Sequence, residues 1–103
     1  MRIKIKITEE FINSGRPRDP YLCPISLYLN NLEYKYVRVC TEGIMFCKTT
    51  PENVYIYYKA QPSKKMRKFI GDFDTMKDVA PQNFIINAEV MGMKRWEYER
   101  MGK

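Results

Sequence analysis

The stretch that most restricts the fold is Arg2–Ile7, where Ile3, Ile5 and Ile7 alternate with Arg2, Lys4 and Lys6. A period of two puts successive side chains on opposite faces. This is therefore a half-buried strand, with isoleucines on a core and cations in water. Lysines on the open face also discourage edge-to-edge aggregation. A different period appears at Pro62–Asp74: Met66, Phe69, Ile70 and Phe73 fall at i, i+3, i+4 and i+7. That is an amphipathic helix aimed at a sheet, and Lys64, Lys65, Arg67 and Lys68 lie around its remaining surface.

The segments between follow the same logic. Thr8–Asn13 reads as a short helical turn, with Thr8 as N-cap and Glu9 and Glu10 favoured in the first turn. Residues 14–20 form a Gly- and Pro-containing loop that carries Arg16 and Arg18. Cys23-Pro24 opens a second helix with Ile25, Leu29 and Leu32 on its core side. Tyr34–Thr41, Ile44–Thr49 and Val54–Lys59 make a three-stranded meander joined by short turns. In its first strand, alternation assigns Lys35, Val37 and Val39 to one face and Tyr34, Tyr36 and Arg38 to the other. Phe84–Val90 is the last predicted strand. Residues 91–103, with Trp96, form a C-terminal helix or tail. The predicted order is β-α-α-β-β-β-α-β. It makes an α+β two-layer domain over residues 1–90, with a mainly antiparallel sheet of about five strands and helices on one face.

Composition removes several function classes. The chain of 103 residues contains no histidine, which excludes Ser-His-Asp and Cys-His catalysis and the usual zinc sites. Three cysteines, Cys23, Cys40 and Cys47, contain no C-x-x-C pair, and an odd count argues against a disulfide framework. Cys23 at a helix N-terminus has the position of an activated thiol but lacks a histidine base, so it is read as a capping, packed residue. The carboxylate pairs Glu9-Glu10 and Asp72-Asp74 are read as helix-end charges. No catalytic residue, metal or cofactor is expected. The longest apolar run is a few residues, and the first residues lack the apolar core of a secretory signal. A cytoplasmic protein without membrane contact is the expectation.

What remains is a surplus of cations and tyrosines. There are 18 Lys+Arg against 12 Asp+Glu, a net charge of +6, and eight tyrosines. The candidate binding residues are Arg2, Lys4, Lys6, Arg16, Arg18, Tyr34, Tyr36, Arg38, Tyr55, Tyr57, Lys64, Lys65, Arg67, Lys68 and Trp96. If the cations converge they form a cradle for phosphates; otherwise they are separate solvated faces. Tyr34, Tyr36 and Arg38 facing Tyr55 and Tyr57 across strands would make a base-stacking platform or a protein-binding hot spot.

The segments Ile7–Gly15 and Cys23–Leu27 resemble a family of short phage and bacterial proteins. Their N-terminal half runs I/V-T-x-E-x-I-x-x-G, then a basic loop, then C-P-I/V-A-L-A-L. Met66–Asp74 is similar to that family's R-x-F-I-x-x-F-D helix, and Val79–Phe84 to its V-x-P-x-x-F strand entry. The likeness covers about residues 3–90 and departs at Ser26, where the family tends to Ala. It implies a mobile-element setting and supplies no catalytic residue. The leading expectation is a non-enzymatic phage-type accessory protein that inhibits a host defence complex, in the manner of an anti-CRISPR, by binding a host protein or ribonucleoprotein. The alternative is a nucleic-acid or nucleotide binder using the basic, Tyr-rich surface.

Overall fold

A computed structural model describes residues 1–95, the last of them by its backbone alone. Nine elements follow one another: β1 (Arg2–Ile7), α1 (Glu9–Ser14), α2 (Pro24–Asn31), β2 (Lys35–Cys40), β3 (Gly43–Thr49), β4 (Val54–Ala60), α3 (Lys64–Asp74), β5 (Gln82–Asn87) and β6 (Glu89–Arg95). The class is α+β, as the periodicities predict. The strands form two antiparallel sheets, a β1-β5 ribbon and a four-stranded sheet of order β2-β3-β4-β6.

The isoleucines of β1 are buried and its cations exposed. Pairing sets Ile3 opposite Ile86 and Ile5 opposite Phe84. A one-residue slip would drive Lys4 and Lys6 into that core, so the register is tightly specified. β5 passes into β6 through Ala88, whose N–H donates to the Met1 carbonyl at 2.7 Å. The Met1 amino group returns a bond to the Ala88 carbonyl, also 2.7 Å.

Both longer helices start on side-chain caps. Cys23 precedes α2 and its Sγ accepts from the Ser26 N–H at 3.5 Å, with Pro24 at the first helical position. Ser63 precedes α3 and its Oγ accepts from the Met66 N–H at 3.1 Å. Thr8 is the N-cap residue of α1, but its side chain makes no capping bond. Ser63→Ala removes a cap on an exposed residue, and its expected cost is about 1 kcal/mol. The urea midpoint checks this, and an unchanged midpoint refutes it.

One core cluster unites Ile25 and Leu29 of α2, Met66, Phe69 and Ile70 of α3, Ile44 and Phe46 of β3, and Phe84 of β5. Phe46 lies at its centre, with Tyr34 edge-on at 4.7 Å and Tyr58 stacked at 5.4 Å between ring centroids.

The single expected sheet of about five strands is instead two antiparallel sheets with six strands in all among the described residues, and two further expectations need correction. β2 does not alternate smoothly, because the ladder shifts register between Lys35 and Arg38 and Tyr36 takes a positive φ of 53°. The bulge turns Tyr34 inward onto Phe46, and its hydroxyl donates to Met1 Sδ at 3.8 Å. Lys35 correspondingly stands opposite Cys47 rather than with Val37 and Val39. The last correction concerns the C-terminal part. Glu89–Arg95 is a strand, neither helix nor tail, so the sheet extends beyond residue 90. Its backbone groups pair with the edge of β4, a distant contact that local periodicity does not encode. Trp96 lies outside the described residues.

Candidate functional site

The four-stranded sheet has two unlike faces. Inward, Ile44 and Phe46 enter the core. On the outward face three cross-strand rows follow from the register. The first row holds Arg38, Met45, Lys59 and Glu89; the second Lys35, Cys47, Tyr57 and Gly92; the third Thr49, Tyr55 and Lys94. Tyr36, re-aimed by the bulge, reaches across β3 to Tyr55, edge-on at 6.3 Å. Cys47 is fully buried yet lies outside the core cluster. Lys35 of β2 and Tyr57 of β4 stand opposite it on the two neighbouring strands.

Tyr36 is 69% exposed and Met45 41%. Lys35, Arg38, Lys59 and Lys94 are exposed. Burial pushes the Tyr57 hydroxyl above the ordinary tyrosine range, and Cys47, Tyr36 and Tyr55 add to the shift. Burial also raises the Cys47 thiol, opposed by Lys35. The Tyr57 hydroxyl and the Cys47 thiol are thus neutral at pH 7. Four cations against Glu89 leave the face positive, with aromatic rings at its middle.

A bulky side chain at positive φ is uncommon and costs about 1–2 kcal/mol. Bulges recur where a side chain has to be re-aimed next to a functional site. At Tyr36 the two features coincide on the most exposed ring of this face.

The other expected residues lie elsewhere. Arg2, Lys4 and Lys6 face outward on the β1-β5 ribbon. Arg16 and Arg18 are on the loop before α2, where the Arg18 N–H donates to Asp74 Oδ1 at 2.9 Å. On α3, Lys65 donates to the Asn83 carbonyl at 3.0 Å, Arg67 to that of Pro62 at 2.9 Å, and Lys68 pairs with Asp72 at 2.8 Å. The basic helix is thus largely engaged within the fold. Tyr34 is half-buried and packs against the core instead. Tyr36, Arg38, Tyr55 and Tyr57 are the expected residues that do come together. Lys35, Lys59 and Lys94 join them unforeseen. The period of β4 already placed Lys59 beside Tyr55 and Tyr57; Lys94 was hidden because its strand was.

No family model matches the chain, and no curated protein or solved structure is significantly similar to it.

Among the described residues no group of three or more His, Cys, Asp or Glu could hold a metal ion. None of the described helices is long and apolar enough to cross a membrane. Cys23 is buried, and burial pushes its thiol above the usual cysteine range despite the bonds with Ser26. Only the thiolate is a good nucleophile. Cys23 in the folded protein is therefore expected to react with a maleimide more slowly than the half-exposed Cys40. Mass spectrometry of labelled peptides checks this, and Cys23 labelling first would overturn it.

Proposed function

We propose that this is a non-enzymatic binding protein whose open tyrosine–lysine sheet face takes single-stranded nucleic acid. The observation that carries the reading is the convergence of Tyr36, Tyr55 and Tyr57 within a border of Lys35, Arg38, Lys59 and Lys94. Aromatic faces stack on any base, and surrounding cations track the phosphates without reading sequence. Four such contacts imply a slope of log K against log[salt] of about −3 for a single strand. Anisotropy of a fluorescein-labelled single-stranded oligonucleotide, titrated with protein at several salt concentrations, tests this. No binding at low salt refutes the reading.

A second reading is inhibition of a host defence complex by protein contact. It is favoured by the exposed Val90, Met91 and Met93 on β6, the strand that also carries Lys94. Solvent-exposed apolar groups of this kind mark protein interfaces. The likeness to phage proteins supports the setting. Recovery of one stoichiometric host protein from nuclease-treated lysate, with no oligonucleotide binding, would favour this reading over the first.

A further inference from the structure

The outward face of the β1-β5 ribbon is not used by either reading. Arg2, Lys4 and Lys6 project from it at two-residue intervals, about 6.6 Å apart along a strand. Opposite Lys4 stands Ile85, an aliphatic side chain 44% exposed. An open groove of about 410 Å³ lies here, bordered by Lys4, Lys6, Tyr28, Asn83 and Ile85. Lys65 reaches β5 from α3, its Nζ donating to the Asn83 carbonyl at 3.0 Å and lying 5.2 Å from the centre of the core-facing Phe84 ring. Among the described residues no carboxylate pairs with Arg2, Lys4 or Lys6.

We propose that this ribbon face docks an acidic, amphipathic segment of a partner protein, in which carboxylates alternate with aliphatic side chains. Charge complementarity identifies the class. An extended segment repeats its side chains on one face at about 6.6 Å, the same period as the β1 cations. Ile85, opposite Lys4 on the neighbouring strand, takes an aliphatic group. The sheet face described above has three outward tyrosines, whereas the exposed apolar side chain on the ribbon is the aliphatic Ile85, and the Tyr28 ring at the groove is half-buried and edge-on to Phe11.

The test uses a fluorescein-labelled peptide of alternating Glu and Val, a matched peptide of Glu and Ser, and a labelled single-stranded oligonucleotide. The Glu-Val peptide binds at low salt, and the Glu-Ser peptide binds several-fold more weakly. The Lys4→Glu, Lys6→Glu double variant weakens peptide binding by roughly tenfold or more. Ile85→Ser, which changes no charge, weakens it about threefold. Both variants alter exposed side chains, and their circular dichroism is that of the parent. Tyr57→Ala leaves peptide affinity unchanged. Equal binding of the two peptides, or none, overturns the proposal. So does a Lys4→Glu, Lys6→Glu variant that loses the oligonucleotide while keeping the peptide. Neither result depends on whether the tyrosine face binds nucleic acid, which the Tyr57 variant reads separately.

Discussion

Replacing Tyr36 and Tyr57 together by alanine is expected to lower single-stranded oligonucleotide affinity by about 30-fold or more. Each base–aromatic stack is worth about 1–3 kcal/mol, and 1.4 kcal/mol is a factor of ten. The salt slope should stay near that of the parent, because the four cations remain. That combination, lower affinity at constant slope, separates stacking from loss of charge. Tyr36→Asn sharpens the test. Asn tolerates the left-handed backbone that Tyr36 occupies at φ 53°, so this variant should equal the parent in stability or exceed it by about 1 kcal/mol. It should nevertheless bind the oligonucleotide more weakly. A variant that gains stability and keeps its affinity would show that the Tyr36 conformation serves no binding role.

Phe46→Ala is expected to cost about 3–5 kcal/mol. The ring is 1% exposed and flanked by Tyr34 and Tyr58, so neighbouring groups can fill little of the space left behind. Against a total stability of about 5–10 kcal/mol for a domain of this size, the loss is a large fraction. Chemical denaturation followed by circular dichroism measures it. A loss below about 1.5 kcal/mol would mean that Tyr34 and Tyr58 close over the gap, and that Phe46 is not the centre of the packing.

The elements easiest to read were those whose burial pattern repeats over a short distance. β1 and α3 match their periodicities residue by residue, since both alternate strong apolar and strong cationic side chains. α2 was announced by Cys23-Pro24, a local capping signal. The site was half legible. Tyr55 and Tyr57 share a face by parity alone, but Tyr34 and Tyr36 were paired on that same rule, and the bulge in β2 separated them. A bulge is set by how two strands fit over a core, and Tyr34 gains Phe46 by turning inward. Lys94 became part of the face only because β6 pairs with β4.

Local chemistry therefore determined the α+β class, the inward and outward sides of β1 and α3, and the exclusion of histidine-based catalysis. Tertiary structure alone decided which of the many cations and rings share a surface. Charge repeats along a chain report only which side of one element faces water. Whether two such sides adjoin depends on strand order and register, which arise from hydrogen bonds between segments far apart in sequence. The cations of α3 are largely spent on their own surroundings, and those of β1 front a separate ribbon. Those of β2, β4 and β6 meet around three tyrosines.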